Sequence, residues 1–210
     1  MAEFRTAGFV LKKQNFGEAD RILRIFSCEF GLLSVLAKGV KKIHSKKSGS
    51  LELFCETNFR LHRKMGELFL VTETAPLSSF STSNLKFLKP AFEAAELLLA
   101  LAPPEKPLPK IYIFFHDFLE ILPVISKPRL LKIAFFTKVL NIFGFLPDFE
   151  EFEKRDKKLF KFLLRENFPQ ILKLAEEEEI FRKAENYLHE ILENVTEKTS
   201  RVVSATHDWN

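Results

Sequence analysis

Cysteine is scarce in this chain, with two among 210 residues, Cys28 and Cys55. Neither has a partner at C-x-x-C spacing, and both fall in strand-like stretches where a thiol acts as a small apolar group. No Cys/His cluster has zinc spacing. Tryptophan occurs once and tyrosine twice, against 24 phenylalanines. Phenylalanine brings bulk without a hydroxyl, so most of these rings read as core. The seven glycines never form G-x-x-x-x-G-K-[ST] or G-x-G-x-x-G, which excludes nucleotide cradles of those kinds. The histidines at 44, 62, 116, 189 and 207 are scattered, and H-E-x-x-H does not occur. His116-Asp117 falls inside an expected helix and reads as a polar interruption, and Glu176 to Glu179 as a solvated helix face. No catalytic residue is therefore expected. The most apolar windows are broken by Glu96, His116, Asp117, Lys132 and Lys138, so no run reaches the length of about 18 residues that spans a bilayer. Met1-Ala2-Glu3 lacks the basic start and apolar core of a signal peptide. The expectation is a reducing, cytoplasmic setting with no membrane partner.

What is present is a core and an uneven charge. Hydrophobic residues make up 46%, enough to bury a sizeable interior. The net charge of +4 is not spread evenly. Residues 1–80 hold thirteen Lys/Arg against eight Asp/Glu, and residues 81–210 hold nineteen against twenty. The densest cluster is Lys38, Lys41, Lys42, Lys46 and Lys47, with no acid among them and with Gly39, Ser45, Ser48 and Gly49 alongside. Ammonium groups so close repel one another, and a polyanion relieves that repulsion. A solvated surface loop is the competing reading.

The pattern along the chain predicts strands first. Residues 4–13, 20–27, 32–38, 51–63 and 67–73 are the candidates, separated by turn signals at Asn15-Phe16-Gly17, Glu29-Phe30-Gly31 and Lys64-Met65-Gly66. In the last two, Leu51, Leu53, Cys55, Thr57, Phe59 and Leu61 share a face, and Leu68 and Leu70 are expected inward. No helix is long enough to cross over between them, so the sheet should be mostly antiparallel. Five short strands suit a small closed barrel of the OB type, which binds single strands on its curved face. After Pro76 and a Ser-rich segment the period turns helical, over 85–101, 108–122, 128–143, 156–166 and 170–193. The fold class is thus α+β: an N-terminal five-stranded antiparallel OB-fold barrel followed by an all-α helical domain. The expected domains are 1–80, a nucleic-acid-binding barrel; 81–195, a helical bundle that binds partners; and 196–210, a flexible tail.

The candidate nucleic-acid contacts are Arg21, Arg24, Lys38, Lys41, Lys42, Lys46, Lys47, Arg60 and Arg63. Phe26 and Phe30, near the turn, could stack on bases, with core packing as the alternative. Two further function classes compete. A phosphodiester-acting enzyme would need clustered carboxylates for a divalent metal, and residues 1–80 show no such cluster. A protein-only scaffold would be indifferent to reversal of the lysines.

The stretch GEADRILRIFSCEFGLLSVLAKGVKK resembles the N-terminal signature of the bacterial RecO family of DNA repair mediators. The matching residues are Glu18, Asp20, Arg21, Gly31, Lys38, Gly39, Lys41, Lys42 and Ser45, then Leu51-Glu52-Leu53-Phe54. FFTKVLNIFGFLP is similar to the family's later helix ending in Gly-aromatic-x-Pro, here Gly144, Phe145 and Pro147. The resemblance implies an OB-fold followed by helices. It also implies binding of single- and double-stranded DNA, annealing of complementary strands, and contact with single-stranded-DNA-binding protein and RecR to load a recombinase at the bacterial nucleoid. The tail of that binding protein is acidic and apolar, and Arg129 and Lys132 are the candidate partner-binding cations for it. Many relatives carry a four-cysteine zinc site after the Gly-aromatic-x-Pro element. Here Asp148-Phe149-Glu150-Glu151-Phe152 stands there with no cysteine, so no zinc or other cofactor is expected.

Overall fold

The computed structural model describes residues 3–41, 49–63, 68–80, 84–146, 153–175 and 177–207. Five strands come first: β1 (Glu3–Phe16), β2 (Asp20–Ser27), β3 (Gly31–Ala37), β4 (Glu56–Arg63) and β5 (Leu68–Ser78). Six α-helices follow: α1 (Leu85–Leu101), α2 (Pro109–Ile121), α3 (Pro128–Ile142), α4 (Lys154–Arg165), α5 (Phe168–Ile171) and α6 (Glu178–His207). Among the described residues no helix is long and apolar enough to cross a membrane.

The strands close into a barrel in the order β1-β2-β3-β5-β4. Four pairings are antiparallel, and the short β3–β5 pairing is parallel and seals the sheet. This is the OB-type barrel that the strand spacing predicts. Its interior holds Val10, Leu23, Ile25, Leu33, Val35, Ala37, Phe59, Leu61, Phe69 and Val71, plugged by Val40 and Leu51. Two expectations about facing change. Leu68 and Leu70 are half-buried and Phe69 and Val71 point inward, one residue out of step with the alternation assumed for this strand. Strand β4 begins at Glu56 rather than at residue 51, because residues 49–51 form a 3-10 turn and Phe54 adopts a left-handed φ of 64°. That turn is bonded to β1 through Phe54 N–H to Val10 O at 2.9 Å.

The chain divides into two compact units, residues 1–85 with 102–123, and residues 86–101 with 124–210. Helix α2, which falls within the stretch expected as the helical domain, therefore belongs to the barrel unit. It covers the outward rings of β1 and β2: Phe9 meets Tyr112 and Phe115 at 5.2 Å, and Phe26 meets Tyr112 at 5.9 Å between centroids. Each ring buried this way contributes roughly 1.5–3 kcal/mol. Beneath the rings, Glu56 is 8% exposed, and Tyr112 Oη donates to its Oε1 at 2.7 Å. Burial and the adjacent carboxylate push the Tyr112 phenol far above its ordinary value, so it stays a donor. The segment before α2 also lies on the barrel: Glu105 N–H donates to Leu32 O at 3.1 Å.

In the other unit, α3 is buried nearly all round, as its sequence predicts. The single helix expected over 170–193 is instead α5, a turn and α6. Asn167 caps α5 by accepting from Gln170 N–H at 3.0 Å, and Lys127 Nζ donates to the carbonyls of Leu172 at 3.3 Å and Leu174 at 2.6 Å, closing the turn. Residues 196–207, expected as a flexible tail, continue α6. Lys132 ties α1 to α6: its Nζ lies 2.8 Å from Glu93 Oε2 and also pairs with Glu185.

Two outcomes follow in solution. Gly31 has φ 68°, and a Cβ there would lie 1.9 Å from the Lys106 carbonyl oxygen, whereas Gly17, at φ 63°, has open space around it. Gly17→Ala should cost about 1–2 kcal/mol in urea unfolding, the left-handed penalty alone. Gly31→Ala should cost distinctly more, since the 102–107 segment must also move off β3. Lys132→Met should cost about 2 kcal/mol at neutral pH by leaving two half-buried carboxylates facing each other. Burial alone would raise the Glu185 carboxyl, but its bonds to Lys132 and Arg129 hold it below the ordinary 4.5. Its contribution is therefore complete above that value and lost as pH falls through the depressed one. Burial likewise opposes the Lys132 charge, and Glu185 and Glu93 outweigh it, raising its pKa above 10.5. That contribution is complete below 10.5 and lost as pH rises through the raised value. The deficit of the variant should thus be widest from about pH 5 to 10 and should shrink on acidification.

Candidate nucleic-acid interface

The turn leaving β3 is built by one acid and one glycine. Gly39 has φ 68°, and its N–H donates to Asp20 Oδ1 at 2.8 Å. Lys41 N–H donates to Ala19 O at 3.0 Å. The start of the basic run is therefore clamped to the turn between β1 and β2. Val40 is buried in the barrel end, while Lys38 and Lys41 on either side of it are exposed. Neither has a carboxylate within ion-pair reach among the described residues. Lys42, Lys46 and Lys47, and Ser45 with them, lie outside the described residues.

The other candidates divide into two groups. Arg21 stands opposite Ala37, next to Lys38, half-buried and 3.8 Å from Glu52, which also pairs with Lys13. Arg24 Nη1 donates to Ser34 Oγ at 2.7 Å across to β3. These two share β2 with the clamp. Arg60 and Arg63 lie on β4 and are held by acids. Arg60 is 2.9 Å from Glu73 and 3.8 Å from Glu3, and Arg63 is 3.1 Å from Glu105 with its guanidinium over the Phe69 ring. The structure thus brings Arg21, Arg24, Lys38 and Lys41 to β2 and the β3 exit, and ties Arg60 and Arg63 into ion pairs.

The stacking candidates take their alternative reading. Phe26 is fully buried under α2, and Phe30 packs on Phe4 at 4.8 Å. Two side chains were missed by pattern reading. Lys12 is exposed and stands directly opposite Arg24, and Phe16 at the end of β1 is 51% exposed. The signal lay in the β1 register, which shifts between Val10 and Lys12 and cannot be read from composition.

The partner-binding candidates are occupied within their own unit. Arg129 pairs with Glu178 and with Glu185 at 2.8 Å, and Lys132 sits between Glu93 and Glu185. Lys132 lines a groove of about 510 Å³ with an apolar floor that includes Leu97, Ile133, Phe136 and Leu188. Its charged rim carries Glu93, Glu96, Glu185 and Glu193 against Lys89 and Lys132.

Nucleophilic chemistry finds little support among these groups. Burial, then Glu29 and Glu56, raises the Cys28 thiol, and burial, then Glu52, raises that of Cys55. Neither is an activated thiolate at neutral pH. Among the described residues, His116, Asp117 and Glu120 on α2 have ligand-type atoms within 4.8 Å of one another.

Comparison with known proteins bears on the barrel directly. Residues 1–80 match the family described as Recombination protein O N terminal. The chain is 33% identical over 159 residues to a DNA repair protein RecO of Dehalococcoides mccartyi, covering 75% of this chain and 62% of that protein. It is 30% identical over 152 residues to the RecO of Pelotomaculum thermopropionicum, covering 71% and 59%, and 29% identical over 149 residues to that of Desulfitobacterium hafniense, covering 70% and 54%. The chain spans about three fifths of the length of these curated relatives. The closed barrel, with the Asp20–Gly39 clamp and its lysines, thus lies in the stretch that matches the N-terminal domain of the RecO family.

Proposed function

We propose that this protein is a non-enzymatic DNA-binding recombination mediator that anneals complementary single strands. The observation that carries the reading is the exposed Lys38–Lys41 turn, clamped beside Arg21 and Arg24 on a RecO-type barrel. Two complementary strands repel through their phosphates. A cationic surface that holds both lowers that repulsion and raises their local concentration, so pairing accelerates without bond chemistry. No nucleophile, metal or cofactor is required by that mechanism. Lys42, Lys46 and Lys47 extend the same basic run in sequence, and double-stranded DNA is bound through the same phosphate contacts. Contact with single-stranded-DNA-binding protein and RecR, and help in loading recombinase, belong to this reading through the resemblance to that family. The apolar groove beside Lys132 is where an apolar tail would insert, at the expense of the existing ion pairs.

A phosphodiester-acting enzyme is the competing reading, and His116, Asp117 and Glu120 are the residues it would use. It predicts chelator-sensitive loss of DNA strands during incubation, and strands that stay intact argue against it. A protein-only scaffold predicts no affinity for DNA.

Fluorescence anisotropy with a labelled oligonucleotide tests the mediator reading. Log affinity should fall with log salt, by roughly 0.7 per single-strand phosphate contact. Lys38→Glu with Lys41→Glu should weaken binding and shallow that slope by about one to two contacts' worth. An annealing assay, run with and without single-stranded-DNA-binding protein, should show acceleration that the double variant loses. An unchanged slope would remove this turn from the DNA surface, and no binding at low ionic strength would end the reading.

A further inference from the structure

Within the nucleic-acid reading above, on which this inference rests, we propose that Phe16 is a base-stacking platform, so that the outer face of the β1–β2–β3 ribbon selects unpaired strands. The barrel's aromatic rings are otherwise occupied. Phe9, Phe26, Phe54, Phe59 and Phe69 are at most 3% exposed, and Phe4 and Phe30 pack on each other. Among the described phenylalanines of the five strands, Phe16 alone has half its surface in water. It stands opposite Asp20 at the end of the β1–β2 hairpin. That end is fixed rather than loose: the Asp20 bond to Gly39 and the Ala19 bond to Lys41 hold the hairpin against the β3 exit. A rigidly held ring loses little freedom when a base stacks on it.

The register supplies the cations. Residues directly opposite each other share a face of the sheet. Phe9, Phe26 and Leu32 share the outward face that α2 begins to cover, and after the shift in β1 the same face continues with Lys12 opposite Arg24, Gln14 opposite Ile22, and Phe16 opposite Asp20. Like charges set directly opposite destabilise a sheet unless an anion sits between them. Lys12 has no carboxylate within ion-pair reach among the described residues. One end of the exposed stripe thus presents the Lys12–Arg24 pair, and the other presents Phe16, at the end where Lys38 and Lys41 leave β3. Lys12 and Phe16 are four steps apart along the strand, about 13 Å. A strand whose phosphates are held by Lys12 and Arg24 and by Lys38 and Lys41 would bring a base onto the ring. Inside a duplex both faces of each base are already stacked, so away from its ends the ring acts only on unpaired strands.

The test compares three ligands on the full chain: a base-bearing single strand, the same strand made abasic, and a blunt duplex. Phe16→Ala should weaken the base-bearing strand by about tenfold. It should leave the abasic strand and the duplex within about twofold, because the phosphate contacts remain. Phe16→Trp should keep the affinity, and its indole emission should be quenched by the base-bearing strand beyond the change seen in the parent protein, where Trp209 supplies the background. Thermal melting verifies that both variants are folded. If Phe16→Ala binds all three ligands as the parent does, or weakens all three equally, the stacking role is overturned while the mediator reading stands. If the parent protein binds none of them, the mediator reading fails first and this inference fails with it.

Discussion

A five-stranded sheet has two open edges, and here β1 removes them. Its fourteen residues pair with β2 along one side and β4 along the other. The short parallel contact of β3 with β5 then closes the ring. Because one strand serves two neighbours, its facing decides what every neighbour shows to solvent. The register shift between Val10 and Lys12 changes which residues point out. Just before it, Phe9 points out and is covered by α2. After it, the outward residues are Lys12, Gln14 and Phe16, exposed to solvent. One extra residue thus separates the ring that packs under α2 from the side chains left in water.

Much of this was legible in advance, for reasons that differ by segment. β2 and β3 were readable because a buried strand between two neighbours is nearly continuously apolar, and a glycine that must adopt φ 68° marks the turn between them. Asp20 and Gly39 belong to a recognisable signature, and the structure supplies their reason: one accepts the amide of the other. β5 was misread by one residue, because Leu68, Phe69, Leu70 and Val71 are all apolar and alternation carries no information there. Residues 51–55 imitated a strand, and only the left-handed Phe54 shows why they are a turn. The site was legible in part. Lysines after β3 were plain from charge alone, but ion pairing was not, since Arg60, Arg63, Arg129 and Lys132 meet acids far away in sequence.

That pairing changes the meaning of net charge. A count of cations treats every guanidinium as available to a polyanion. In this molecule Arg60 lies between Glu3 and Glu73, and Lys132 lies between Glu93 and Glu185, where each already has its anion. A phosphate must compete with those carboxylates, and the exchange gains little. The lysines flanking Val40 face no such competition among the described residues. A modest overall excess can therefore coexist with a strongly attractive patch, because the patch is defined by which cations the fold has left unmatched.

The buried glutamate under α2 carries one more consequence. Glu56 reaches its phenol donor in residue 112, well beyond the eighty residues that the family match spans. The module recognisable from the family match and the compact unit of the fold are thus different stretches of chain. Excised at residue 80, the barrel would bare Phe9 and Phe26 and leave the Glu56 carboxylate with the Ser78 hydroxyl but without the phenol. A self-sufficient fragment has to carry the helix from the far side of the 86–101 excursion, which makes this fold discontinuous in the chain although its signature is not.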